Sequence, residues 1–156
     1  ADGMILPNLK MDKERDSCRF LNEQGRCSVN GYRPGLCRLF PLGRYYEEKG
    51  FRYFIQIHEC RKQDRGKVKI KKWLGIPNLK SYEEYIQSWH DFLNGCEDGL
   101  GGLEDEQKNV LTIYVLRRFS ETAYPAQDEN AFYEVFFARL KEVREKLGMD
   151  EEGNQI

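Results

Sequence analysis

No stretch of this chain approaches the ~20 consecutive apolar residues that a membrane-crossing helix needs, and no secretory signal pattern opens it. Charge of one sign is also lacking. Against 26 Asp+Glu stand 25 Lys+Arg, a formal net charge of −1. That balance gives no global reason to expect nucleic acid as a partner, and none is expected. Histidine is scarce, with only two residues. There is no Ser-His-Asp or Cys-His arrangement and no close carboxylate motif, which argues against hydrolase chemistry. The sequence has no Gly-rich loop running from a strand into a helix, so the fingerprint of a methyl-donor or dinucleotide pocket is missing. No two cysteines lie two to four residues apart, which removes the spacing typical of a zinc finger or ribbon. Internal repeats and low-complexity tracts are absent as well.

What remains is a chain long enough, at 156 residues, for one compact domain with a real core. Apolar residues make up 40% and charged residues 33%, the balance of a water-soluble globular protein. There are five cysteines, and Cys18, Cys27, Cys37 and Cys60 all fall within the first 60 residues. An odd count fits a reduced, cytoplasmic protein with a thiolate site and one spare thiol better than a secreted disulfide scaffold. Disulfides and unligated thiols remain the alternatives. The chain begins Ala1-Asp2-Gly3 rather than with Met, so its start reads as trimmed, processed or not the natural one.

Residues 1–40 are rich in turn signals, at Asn22 to Gly25, Asn30-Gly31, Arg33-Pro34-Gly35 and Phe40-Pro41. A segment with so little backbone pairing needs something to offset the entropy of ordering it, and a bound metal would do so. From Arg44 to His58 aromatic and β-branched residues flank Glu48-Lys49-Gly50, which predicts a β-hairpin whose second strand runs from Phe51 to His58. Lys69 to Leu74 carries only weak helix signals. Ser81-Tyr-Glu-Glu reads as a capping box opening a helix that Gly95 ends. After the link Gly99 to Gly102, a helix from about Glu104 to Glu121 carries Val110, Leu111, Ile113, Tyr114, Val115, Leu116 and Phe119, an apolar set wide enough to be largely buried. Tyr124-Pro125 breaks it. Asp128 caps a last helix to about Leu147, with Phe132, Val135, Phe136, Phe137, Leu140, Val143 and Leu147 on its core face and Gly148 at its stop. Residues 150–156 read as a polar tail. The expected fold is mainly α (α+β): a Cys-rich loop segment and a β-hairpin packed on a C-terminal helical body. Residues 1–75 form the Cys-rich region and residues 76–156 the helical region of the same compact domain.

Four thiolates are enough to saturate a zinc ion or hold an iron–sulfur cluster. Their spacing, Cys18-x8-Cys27-x9-Cys37-x22-Cys60, requires loops to bring them together. Arg19, Arg26 and Arg38 sit beside cysteines, where their charge would favour thiolates, although solvated loop arginines account for them equally well. His58, two residues before Cys60, shares its strand face; His90 reads as structural. Cys96 belongs to no cluster. Arg61, Lys62, Arg65, Lys67, Lys69, Lys71 and Lys72 outnumber the single acid Asp64 and read as a solvated face.

The segment Cys18-Arg-Phe-Leu, Gly25-Arg-Cys27-Ser-Val, Arg33-Pro34, Cys37-Arg38-Leu-Phe40-Pro41-Leu-Gly43 resembles the cysteine-rich zinc- or iron-chelating domain proteins, a family that includes flagellin N-methylase. The resemblance spans about residues 3–75. It implies a site holding zinc or iron, an iron–sulfur cluster included, with Cys18, Cys27, Cys37 and Cys60 as ligands. It also implies Arg33 as an ion-pair or carbonyl anchor. The family's further cysteine group, upstream of this block, has no counterpart after Ala1. The leading expectation is therefore a zinc- or iron-chelating protein. The alternatives are a lysine N-methyltransferase acting on flagellin, and a non-catalytic module whose helical half binds a ligand or protein partner.

Overall fold

The computed structural model describes residues 3–14, 16–59 and 66–150. The chain is mainly α, as the sequence leads one to expect, and it carries two small antiparallel hairpins where the sequence pattern marks one. It divides into two compact units, Asn8–Leu79 and a helical one made of Lys80–Ile156 with Ala1–Pro7.

Within Asn8–Leu79, β1 (Met11–Asp12) pairs with β2 (Ser17–Cys18). A 3-10 turn at Asn30–Tyr32 leads to the short helix α1 (Gly35–Leu39). The hairpin anticipated from the sequence follows as β3 (Leu42–Tyr46) and β4 (Phe51–Ile55), with Leu42 opposite Ile55 and Tyr46 opposite Phe51. Gly50, at a φ of +85°, supplies the left-handed residue of the connection. The second strand stops at Ile55, short of the expected His58. There Gln56 donates its backbone N–H to the Pro41 carbonyl and its side-chain amide to the Leu42 carbonyl, and the chain turns as Glu59 N–H reaches the Gln56 carbonyl. His58 is therefore in an exposed turn, not on a strand face. Helix α2 (Ile70–Leu74) lies against α1, and the Trp73 indole N–H donates to the Leu39 carbonyl at 3.3 Å.

The helical unit holds α3 (Leu79–Leu100), α4 (Asp105–Leu116), a π-helical turn at Arg117–Glu121, and α5 (Glu129–Leu147). Helix α3 departs from expectation at both ends. It begins at Leu79, directly after Asn78, a favoured cap type, so Ser81 lies inside the first turn. It also runs through Gly95 to Leu100. A mid-helix glycine costs about 1 kcal/mol relative to alanine. Ending the helix at Gly95 would forfeit the burial of Cys96 and Leu100, both deep in the core. Helix α4 also departs from expectation, since its apolar set is wider than its buried face. Val115 and the following Phe119 are buried, whereas Val110 is 65% exposed and Ile113 also faces water. The closing helix follows its local signals. Asp128 accepts from Ala131 N–H at 2.9 Å, and Gly148 ends the helix in the left-handed region.

The core gathers Met4, Phe92, Cys96, Leu100, Val115, Phe119, Phe136, Leu140, Val143 and Met149. Aromatic rings dominate it. Tyr85 meets Phe136 edge-on at 4.5 Å and Trp89 lies 4.8 Å from Phe119, the tilted arrangements that ring quadrupoles favour.

Candidate functional site

The cysteine region is built from turns. Cys18 ends β2 opposite Met11, and its carbonyl accepts from Leu21 N–H at 3.0 Å. Leu21 in turn bridges Cys27, and Ser28 N–H donates to the Phe20 carbonyl. Between them Asn22 Oδ1 accepts the backbone N–H of Gln24 and Arg26, an Asx-type turn completed by Gly25 at a φ of +69°. Cys18 thus closes the β1–β2 pairing, and Cys27 lies in the loop that follows it. Cys37 is in the middle of α1. All three are half-buried free thiols. Cys60, the fourth candidate, lies outside the described residues.

Arg38 orders the backbone between Cys27 and Cys37. Its Nε–H donates to the Arg33 carbonyl at 3.1 Å and its Nη2–H to the Gly31 carbonyl at 2.9 Å. Arg38 thus anchors two carbonyls here, and among the described residues Arg33 Nε is buried with no hydrogen-bond partner. The donor set suits a soft or borderline metal in its chemistry, because thiolates bind zinc and iron. Its geometry is less complete. Among the described residues, no three His, Cys, Asp or Glu side chains close around a common point. Cys18 pairs across to Met11, Cys27 lies opposite Leu21 and Cys37 sits in α1, so each thiol is carried by a different local element.

A second concavity belongs to the helical unit. A cavity of about 700 Å³ opens where the end of α3, the start of α4 and the end of α5 meet. Leu103, Val110, Leu111, Leu147 and Met149 give it an apolar wall, and Glu106, Gln107 and Lys146 supply polar groups. The Lys146 ammonium sits 4.6 Å from the centre of the Tyr114 ring. Cys96 also lines this cavity, only 1% exposed, and burial pushes its thiol up from 9.0 to about 12. The sequence pattern places Cys96 beyond a helix end, and no local signal marks the cavity. The exposed Val110 is one of the residues that line it.

The high pKa has two consequences. At pH 8 a thiol titrating near 12 is almost entirely protonated and a poor nucleophile. In native reduced protein, iodoacetamide should modify Cys96 at least ~100-fold more slowly than in denaturant, as peptide mass spectrometry would show. The folded pKa lies above the unfolded one, so the unfolded chain loses its proton first. Stability linked to Cys96 is therefore full below pH 9 and is lost as pH rises towards 12. A Cys96→Ala variant should show a weaker alkaline loss. An identical alkaline melting profile would oppose this assignment.

Compared with protein-family models, curated proteins and solved structures, the chain matches none.

Proposed function

We propose that Asn8–Leu79 is a metal-organised module in which the thiolates of Cys18, Cys27, Cys37 and Cys60 hold zinc or iron, an iron–sulfur cluster included. The observation that carries this reading is the poverty of its core. Within this unit Leu39 and Leu74 are the only fully buried large apolar side chains among the described residues. Met11, Phe20, Leu21, Tyr32, Leu36 and Phe40 all remain exposed. A unit of this size cannot offset its chain entropy with two buried leucines, and small domains in that position rely on a metal or on disulfides. The three described cysteines of the unit are free. Ligation requires Cys18, Cys27 and Cys37 to converge, so the turns that connect them are the segments that must rearrange. Zinc would supply folding energy alone; an iron–sulfur cluster would add one-electron chemistry.

The test is elemental analysis of freshly prepared, reduced, anaerobic protein. About one zinc per chain, or iron with matching labile sulfide, supports the reading. Alanine at Cys18, Cys27, Cys37 or Cys60 should lower occupancy roughly tenfold or more, and alanine at Cys96 should not. Metal below about a tenth of an ion per chain, or equal loss in Cys96→Ala, overturns it. Incubation with flagellin and a methyl donor, followed by lysine mass analysis, decides whether lysine methylation accompanies metal binding.

The helical cavity favours a second reading, a module binding a small apolar ligand. Its size falls in the range of small-molecule pockets. Since Cys96 lines it, 1-decanol seated there should slow the residual alkylation of Cys96 in a saturable way; an unchanged rate rejects the reading.

A further inference from the structure

Residues 66–77 read Gly-Lys-Val-Lys-Ile-Lys-Lys-Trp-Leu-Gly-Ile-Pro, with four lysines and no acid. Lys67, Lys69, Lys71 and Lys72 are all exposed, and among the described residues none has an ion-pair partner. Four lysines within six residues concentrate positive charge that an anion would offset. The segment is not merely charged. Trp73 is 45% exposed and Val68 49% exposed, so large apolar groups are interleaved with the cations. The indole does not hang freely: its N–H is fixed on the Leu39 carbonyl, which anchors the ring edge and leaves apolar surface facing out. Lys69, Lys72 and Trp73 follow helical i, i+3, i+4 spacing and so share one face, and the Trp73 N–H bond to the Lys69 carbonyl confirms the turn. Gly75, left-handed at a φ of +65°, turns the chain so that Ile76 and Pro77 close a concavity of about 390 Å³ with Lys69, Lys71 and Lys72.

We infer that this face docks on an anionic lipid surface. Lysines offer diffuse, non-directional attraction, which suits a plane of headgroups rather than the bidentate recognition that arginine provides. Arg38, beside Gly75, already donates to two carbonyls. Trp73 and Val68 supply apolar surface of the kind that settles at a headgroup boundary, where an amphipathic indole is at home. A nucleic acid fits less well, because Trp73 is the only ring in the segment and successive bases would find no further stacking partner. The face includes no cysteine, so loss of lipid binding and loss of metal are read by separate measurements.

The experiment is vesicle co-sedimentation of the full chain at low and physiological salt, using phosphatidylcholine alone and phosphatidylcholine with about 30% phosphatidylserine. Anionic vesicles should bind at least tenfold more tightly than neutral ones, with the advantage shrinking as salt screens the headgroups. Each Lys→Gln change at positions 67, 69, 71 and 72 should weaken binding about fivefold, and the quadruple variant should lose it. Binding should shift Trp fluorescence to the blue, and Trp73→Phe should remove that shift while Trp89 remains. Far-UV circular dichroism of the quadruple variant excludes unfolding as the cause of lost binding. Equal binding to both vesicle types, undiminished binding by the folded quadruple variant, or tighter binding to a single-stranded oligonucleotide than to vesicles overturns the inference.

Discussion

Arg139→Met should destabilise the helical unit by about 3–5 kcal/mol, more than its conservative length suggests. Arg139 projects from α5 and is only 7% exposed. Its Nη1–H groups donate to the carbonyls of Arg118 at 2.7 Å and Thr122 at 3.0 Å, and Nη2–H donates to Ala123 at 2.8 Å. These carbonyls belong to the π-helical turn and the residues just past it, where backbone acceptors run out of helical partners and carry partial negative charge. The guanidinium also lies 3.9 Å from the centre of the Tyr124 ring, whose hydroxyl donates to the Phe119 carbonyl. One side chain thus closes the end of α4 and fastens it to α5. Methionine keeps the apolar stem and strands three acceptors. Lysine, with a single ammonium, should recover only part of the loss because it lacks the planar fork. Urea titration followed by helical circular dichroism measures the effect. A loss below about 1 kcal/mol would show that water satisfies these carbonyls unaided.

That contact marks the boundary of what was legible in the sequence. Helix α5 was legible throughout, because Asp128, Gly148 and the Phe136, Leu140 and Val143 stripe are local signals. The β3–β4 hairpin was legible for the same reason. Arg139 was not, since its acceptors are 16 to 21 residues away and no pattern ties a helical arginine to a distant turn. Gly95 was read as a stop because glycine usually marks one, whereas here tertiary burial beyond it outweighs the local preference. The hairpin β1–β2 and helix α1 escaped notice because elements of two and five residues carry too few positions for periodicity to register. For the candidate metal site, composition names the thiols, but whether they meet depends on loop paths that spacing alone does not encode. The half-buried placement of Cys18, Cys27 and Cys37 supplies their setting without supplying convergence.

Removing metal should therefore separate the two units energetically, which is the most informative consequence of the proposed function. The helical unit has a self-sufficient core: Phe92, Phe136, Val115 and Val143 are almost wholly buried, and aromatic contacts link α3, the π-helical turn and α5. Nothing in it depends on a thiolate. Asn8–Leu79 has no comparable core, and structural zinc contributes roughly 10–16 kcal/mol in small thiolate modules. A strong chelator at neutral pH should thus abolish amide protection in α1, α2, β3 and β4 and leave α3 and α5 essentially unchanged. Hydrogen exchange read by mass spectrometry resolves the two sets of amides in a single sample. Returning zinc or iron should restore the first set, and a Cys37→Ala variant should behave as though chelated from the start. Should α1, α2 and the β3–β4 hairpin keep their protection after the metal is gone, hydrophobic contacts alone hold this unit. Its cysteines would then have no organising role.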